Sequence, residues 1–325
     1  MSAILEVKNL KTKFKTDKGT VSVVDGVDFS IKPGETLGVI GESGCGKSVT
    51  SLSVMRLLPA NASNEGSITF QGKELISLAE KQMQKVRGND IAMIFQEPMT
   101  SLNPLHTVGK QIEEAIILHM NISKLEAKER AIKMLKAVGM PRAEEIYGEH
   151  PHQLSGGMRQ RVMIAIAMAC DPKLIIADEP TTALDVTIQA QILDLMKDLK
   201  KKTGTSIMLI THDLGVVAEM CDRVIVMYAG QVVEETDVDT LFENPKHPYT
   251  MGLMDSIPSF EDEQEYLNTI PGSVPLPYEM PNGCRFAPRC SWAKEICHQQ
   301  APKLVEIESQ HKCRCWLVTE EEDAS

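Results

Sequence analysis

The sequence predicts an α/β fold: a mainly parallel sheet core, an antiparallel β subdomain, an inserted helical subdomain and a loop-rich, cysteine-containing C-terminal extension. Three observations carry this. The apolar run at 36–40 leads into Gly41-Glu42-Ser43-Gly44-Cys45-Gly46-Lys47-Ser48 and then Val49-Thr50-Ser51-Leu52, so a buried strand, a glycine loop and a helix start follow in the order of a P-loop. Short apolar runs alternate with helical spacing from 156 to 235, which implies parallel strands covered on both faces. After about residue 240 the composition turns to proline, cysteine and polar residues, and five of the eight cysteines fall in the last 42 positions.

Taken in order, residues 3–14 and 20–31 alternate apolar and polar side chains around Lys18-Gly19, the pattern of an antiparallel hairpin with one solvated face. Pro33-Gly34 turns into the strand at 36–40, and helix 47–58 runs to Pro59. Residues 60–66 read as a polar loop, Ile68 to Phe70 with Gly72 as a short hairpin, and 78–86 as a helix. Strand 90–95 ends in Phe95-Gln96-Glu97-Pro98. From about 107 to 147 the apolar spacing is helical, as in Ile112, Ala115, Ile116 and Leu118, then Ala131, Met134, Leu135 and Val138. Helix 156–170, strand 173–178, helix 187–202, strand 205–210, helix 214–220 and strands 223–228 and 231–235 complete the core. The expected division is a nucleotide-binding domain at 1–240, with the helical subdomain inserted at about 97–155, and an extension at 241–325. The acidic run at 320–323 reads as a solvated end.

The chain has 325 residues and a net charge of −11, from 34 Lys+Arg against 45 Asp+Glu. This balance argues against nucleic acid bound through a basic face and against direct attraction to anionic lipid. No window reaches the apolar length of a membrane span, and the first residues lack the basic start and apolar run of a secretory signal. A cytosolic protein is expected, with any membrane link made through a protein partner, and its cysteines suit metal ligation or catalysis better than disulfides.

The P-loop residue types specify their chemistry. Glycines let backbone N–H groups turn toward phosphate oxygens, Lys47 reaches the β- and γ-phosphates, and Ser48 offers a hydroxyl to Mg²⁺. The apolar strand Lys173-Leu174-Ile175-Ile176-Ala177 ends in Asp178-Glu179, which places Asp178 to hold Mg²⁺ and Glu179 to orient and deprotonate attacking water. Leu154-Ser155-Gly156-Gly157-Met158 opens a helix, where Ser155 caps and the backbone N–H groups form a second anion site. A second phosphate site so far along the chain suits a nucleotide held by another copy or a partner.

At these residues the sequence resembles the ATP-binding cassette (ABC) family. Leu154 to Met158 looks like the signature loop, Thr181-Thr182-Ala183-Leu184-Asp185 like the D-loop, Gln96 like the Q-loop glutamine and His212 in Thr211-His212-Asp213 like the switch histidine. The resemblance implies the RecA-like ABC ATPase fold and a head-to-tail dimer. In that dimer two ATP molecules lie between one subunit's P-loop and the other's signature loop. It implies that Phe14 stacks on adenine, that Gly41, Ser43, Gly44, Cys45, Gly46, Lys47, Ser48 and Val49 hold the phosphates, and that Ser155, Gly156, Gly157 and Asp185 serve the partner's nucleotide. Glu179, His212 and Gln96 are then catalytic, and Ser48, Gln96 and Asp178 hold Mg²⁺.

Narrower stretches, Gly-Glu-Ser-Gly at 41–44, Phe-Gln-Glu-Pro-Met-Thr-Ser-Leu-Asn-Pro at 95–104, Pro-Lys-His-Pro-Tyr-Thr at 245–250 and the cysteine-bearing tail, resemble the ATPases of dipeptide and oligopeptide permeases. That group implies an ATPase at the cytoplasmic face of the cell membrane, paired with a similar or identical ATPase. The pair drives two membrane permease subunits fed by an extracytoplasmic substrate-binding protein. The same machine serves nickel, glutathione and some sugars. A soluble ABC ATPase of DNA repair or translation is the second class and an iron–sulfur redox sensor the third.

The tail has no Cys-x-x-Cys pair, which disfavours zinc; four thiolates on a loop-rich scaffold suit a [4Fe–4S] cluster, with a zinc site or reduced structural thiols as the alternatives. The resemblance puts Cys284, Cys290, Cys297 and Cys315 as its ligands, in a structural role. Cys313 stands where the group has an apolar residue and leaves the fourth ligand open between Cys313 and Cys315. Cys45, where the group has serine, lies near Lys47 and a helix start, which lowers a thiol pKa. The preferred, plainer reading is still a small residue facing away from the phosphates; the alternative is a reactive thiol whose oxidation or alkylation blocks ATP binding.

Overall fold

Whether an apolar run becomes a strand or a helix here is decided by what lies beside it. The computed structural model of the chain describes residues 2–96, 101–182, 184–256 and 269–319. Residues 97–100 after Gln96, Ala183 of the D-loop motif and the acidic run at 320–323 lie outside them. The strands are β1 (Leu5–Thr16), β2 (Gly19–Ile31), β3 (Thr36–Ile40), β4 (Ala62–Phe70), β5 (Lys73–Glu74), β6 (Ile91–Ile94), β7 (Leu174–Asp178), β8 (Ser206–Ile210), β9 (Arg223–Tyr228), β10 (Gln231–Asp237), β11 (Val305–Glu308) and β12 (His311–Cys313). The helices used below are α1 (Lys47–Met55), α2 (Glu80–Val86), α3 (Val108–His119), α4 (Lys124–Ala137), α5 (Ala143–Ile146), α6 (Gly156–Met168), α7 (Val186–Thr203), α8 (Leu214–Met220), α9 (Val238–Glu243) and α10 (Pro248–Asp255).

The chain divides into two compact units, one of Met1–Ile4, Lys32–Glu35 and Ser77–Ile210, the other of Leu5–Ile31, Thr36–Ile76 and Thr211–Ser325. In the first, β6, β7 and β8 run parallel, with Ile91 opposite Leu174 and Leu174 opposite Ser206. Every residue of β7 and β8 is buried, as expected of strands covered on both faces. Helices α3, α4 and α6 pack on one another. They bury Ile112 and Ile116 of α3 and Ala127, Ala131 and Leu135 of α4, whereas Leu118, counted in the predicted spacing, is 73% exposed. Ser123 and Glu126 close a reciprocal capping box at the start of α4, satisfying two of its orphan N–H groups.

In the second unit one antiparallel sheet has the order β2-β1-β4-β5. Residues 62–66, expected as a loop, are strand: Ala62 pairs with Phe14, Ser63 with Lys13, Asn64 with Thr12 and Glu65 with Lys11. Their polar side chains are answered across the strands. Asn64 Oδ1 accepts from Thr12 Oγ1 (3.0 Å), and Glu65 meets Lys13 Nζ at 2.7 Å. Composition alone hides such a strand, because cross-strand partners stabilise it rather than an apolar face. Helix α1 ends at Met55 instead of reaching Pro59, as Arg56 turns left-handed (φ 51°) and returns its N–H to the carbonyls of Leu52 and Ser53. Ahead of a proline the chain is already biased out of helix.

In the same unit β3 lies parallel to β9, and β10 and then β12 and β11 continue antiparallel. The residues after 240 therefore extend the sheet of β9 and β10. Arg314 N–H donates to Val233 O (2.8 Å) and its Nε to Val232 O (2.8 Å). Buried Glu234 accepts from the N–H groups of Lys246 (2.7 Å) and His247 (2.9 Å) and pairs with His311 Nε2 (2.7 Å). Tyr249 and Phe286 share a core with Ile40, Val226 and Tyr228. No helix among the described residues is long and apolar enough to cross a membrane.

Candidate functional site

The P-loop joins β3 to α1 in the second unit. Gly41 has φ +146°, and a Cβ there would lie 2.2 Å from Met227 O, so only glycine lets the loop leave β3 beside β9. Lys47 is buried, and its ammonium donates to Gly41 O (2.7 Å) and Glu42 O (3.0 Å), so the side chain arches back over its own loop. Ser43, Gly44 and Ser48 are exposed, Val49 is half-buried, and Cys45 and Gly46 are buried.

At Cys45 the expected lowering of the thiol pKa is overturned. Burial pushes its thiol up, outweighing the attraction of Lys47 and the hydrogen bonds that Lys47 makes. Fully buried, with its carbonyl accepting from Gly230 N–H (2.9 Å), it is the small inward-facing residue of the plainer reading. Sequence proximity to a cation said nothing of solvent access, which here dominates.

His212 belongs to the same unit. Thr211 N–H donates to Val39 O (3.3 Å), which sets the start of the His212 turn beside the end of β3, two residues ahead of Gly41. Asp213 caps α8 through the N–H groups of Gly215 (2.9 Å) and Val216 (3.2 Å). His212, exposed between these fixed neighbours, faces solvent. Phe14 is half-buried on β1, opposite Val21 and Ala62.

The first unit holds Gln96, Asp178, Glu179, Ser155, Gly156, Gly157 and Asp185. Asp178, buried, ends β7. Glu179 follows in the left-handed region (φ 48°), an unusual state for a non-glycine residue. Its N–H donates to Ile210 O (2.9 Å), and its Oε2 accepts from Gln96 Nε2 (2.9 Å) and Thr182 Oγ1 (2.9 Å). The predicted base is thus aimed by two donors.

Ser155 caps α6, its Oγ accepting from Met158 N–H (3.4 Å). Ser155 and Gly156 are exposed at the start of this 13-residue helix, where backbone N–H groups and the helix dipole favour an anion. A Cβ on Gly157 would lie 2.8 Å from Ile188 Cγ2. Asp185 Oδ1 accepts the Ile188 N–H (2.9 Å) and so caps α7. Gly157 faces the Ile188 side chain and Asp185 caps the Ile188 backbone N–H, so signature loop and D-loop motifs meet at one residue.

Sequence reading missed Gln160, buried and donating to Pro180 O (2.5 Å) next to Glu179. A lone amide on an otherwise apolar helix face was its signal. It also missed the partners of Glu42, whose signal was a carboxylate inside a phosphate-binding loop.

Cys284, Cys290, Cys297 and Cys315 line one small apolar cavity together with His247 and Phe286. Cys313 is absent from that lining. It is fully buried on β12 opposite Glu234, and burial with the Glu234 charge pushes its thiol up. Burial likewise raises Cys284 and Cys290 and pushes Cys315 up to about 12. Among the described residues, no group of three or more His, Cys, Asp or Glu is arranged to hold a metal ion. The four thiols share one cavity lining without forming a ligand cage.

Residues 24–182 match the ABC transporter family, and residues 233–297 match the oligopeptide/dipeptide transporter C-terminal region. The chain is 58% identical to the oligopeptide transport ATP-binding protein AppD of Bacillus subtilis, over 99% of this chain and 98% of that one. It is 51% identical to the oligopeptide transport ATP-binding protein OppD of Haemophilus influenzae, over 98% and 99% respectively. Among solved structures it resembles the ATP-binding cassette MJ0796 as a dimer in a post-hydrolysis state with ADP and Pi. That likeness has a TM-score of 0.65 and 30% identity and covers 72% of this chain and 98% of that one.

Proposed function

This chain belongs to the ABC transporter family, and from that premise we propose that it is the ATP-hydrolysing subunit of an importer of oligopeptides or dipeptides. The observation that carries the proposal is a carboxylate at the end of β7, Glu179, held by Gln96 and Thr182, in a chain that also carries an intact P-loop motif. The full-length similarity to oligopeptide transport ATP-binding proteins supports the substrate class.

In this reading Lys47 and the P-loop N–H groups bind the β- and γ-phosphates, and His212 contacts the γ-phosphate. Glu179 orients water for in-line attack and takes its proton. Mg²⁺, when bound, neutralises charge on the phosphoryl oxygens, and the hard oxygen donors of Ser48, Asp178 and Gln96 suit it. Phe14 stacks on adenine. Ser155, Gly156, Gly157 and Asp185 complete the site of another ATPase, identical or homologous, in a head-to-tail pair. Two permease subunits seat the pair on the cytoplasmic face of the membrane, and a substrate-binding protein delivers the peptide outside. Gln96, bonded to Glu179 and preceding the helical subdomain, reports ATP occupancy to the permease.

Cys284, Cys290, Cys297 and Cys315 are the residues that would hold a [4Fe–4S] cluster, with zinc as the alternative, and such a group would fasten the loops that carry them. Anaerobic purification followed by iron, sulfide and zinc analysis decides which, and Cys297→Ser should lose the metal while Cys313→Ser keeps it.

The test of function is affinity purification from membranes, with the co-purifying proteins identified and ATP hydrolysis measured with candidate ligands. The proposal expects permease subunits and stimulation by peptide delivered on a binding protein. Co-purification of nucleic-acid factors alone, or stimulation by nickel, glutathione or sugar instead of peptide, would contradict it.

A further inference from the structure

Glu42 is an acidic side chain one residue inside a loop that has to receive a polyanion. Left free, its carboxylate would oppose the phosphates, since like charges a few Å apart repel strongly where water is excluded. Every polar group of Glu42 is instead engaged. Its N–H donates to Tyr249 Oη (2.7 Å), its carbonyl accepts from Lys47 Nζ (3.0 Å), and its two carboxylate oxygens accept from Arg289 Nη1 (2.7 Å) and Nη2 (3.0 Å).

Arg289 is built for this. Its side chain is 4% exposed. Nε donates to Pro271 O (2.7 Å), and Nη2 also reaches Ile270 O (3.3 Å) and Gly272 O (3.4 Å). The guanidinium lies 5.7 Å from the Tyr228 ring centre and 5.9 Å from that of Phe286. A planar fork held on all sides and aimed at one carboxylate is arginine's particular geometry. Burial disfavours its charge, but the bonds to Glu42 and Tyr228 more than offset this and hold its pKa above the ordinary arginine value. Arg289 ends a short 3₁₀ turn, Ala287–Arg289, immediately before Cys290. The residues after 240 thus reach the P-loop through Arg289 and Tyr249, both within the second unit.

We infer that Arg289 is a positioning residue of the nucleotide site: it neutralises Glu42 and fixes the first turn of the P-loop, so the C-terminal extension sets ATP affinity. Lys47 is held by the carbonyls of Gly41 and Glu42, so tilting residue 42 also moves the ammonium that meets the phosphates. The inference rests on the P-loop being the ATP site.

The test measures MgATP affinity of the full chain by equilibrium binding, in an E179Q background that stops turnover, with thermal melting in the absence of nucleotide alongside. R289M is expected to weaken MgATP by about tenfold, in the range of a 1–3 kcal/mol coupling, with a larger loss at low salt. R289M/E42Q should recover most of that loss, because the offending charge is gone, although the double variant has no more contacts than the single one. R289K, which keeps charge but not the fork, should fall between, and it carries the test should R289M not fold. Unchanged affinity in R289M and R289K would overturn the inference, as would a double variant as weak as R289M alone. Failure of the E179Q parent to bind MgATP, or binding that survives K47A, would instead overturn the reading of the P-loop itself.

Discussion

At the residue scale the site depends on which neighbours each functional group meets. Glu179 pays for its left-handed backbone with two donors on its carboxylate. Glu179→Gln should lower ATP hydrolysis at least about 100-fold while leaving MgATP affinity intact; loss of both together would show a structural rather than a catalytic role. Thr182→Val removes one of the two donors, and single-turnover kinetics should give a smaller loss, about tenfold, with KM little changed. For Cys45, burial predicts slow alkylation by iodoacetamide in the native protein, and Cys45→Ser should keep ATP affinity. Rapid labelling would reinstate a reactive thiol. The P-loop motif was readable because phosphate chemistry restricts its residue types and their order. The state of Cys45 was not, because its burial depends on neighbours far along the chain such as Gly230, whose N–H donates to the Cys45 carbonyl.

At the scale of elements, a single contact often fixes two motifs. Gly157 admits Ile188, whose N–H is capped by Asp185. Gly157→Val should destabilise the fold by about 1–3 kcal/mol in denaturant titration, and Ile188→Ala in the same chain should recover part of that. Periodicity located α3 and α4, whose buried stripes are apolar, but put Leu118 in the stripe, where the structure leaves it exposed. It missed the strand at 62–66, where Thr12 and Lys13 answer polar side chains, and overran α1, where Arg56 takes the left-handed turn.

Glu234 is a staple of the same kind between β10 and β12. Burial works against its charge, but bonds from His311 and the N–H groups of Lys246 and His247 outweigh this and hold its pKa below the ordinary glutamate value. A depressed carboxylate pKa contributes stability that is fully present above 4.5 and is lost as pH falls through the folded value. Melting temperature should therefore drop below pH 4.5, with a shallower drop in Glu234→Gln. An equally steep drop in that variant would assign the acid sensitivity elsewhere.

At the scale of the whole molecule, the sequence announced a cassette with a tail, and the residues after 240 prove to continue a sheet and to grip the P-loop. Composition marks where proline and cysteine begin; it carries no sign of β12 pairing with β10, since a three-residue strand has too short a pattern to read. The second phosphate site raised the other large-scale expectation. The P-loop and the helix start at Ser155 each offer an anion site, and the proposal assigns them to different nucleotides in a head-to-tail pair. Mixing two inactive variants, Lys47→Ala and Ser155→Arg, tests this most directly by the ATP hydrolysis of the mixture. If each site takes its P-loop from one copy and its signature loop from the other, mixed pairs hold one intact site, and the mixture should regain about a quarter of wild-type activity. A mixture as inactive as either variant alone would contradict a site shared between two copies.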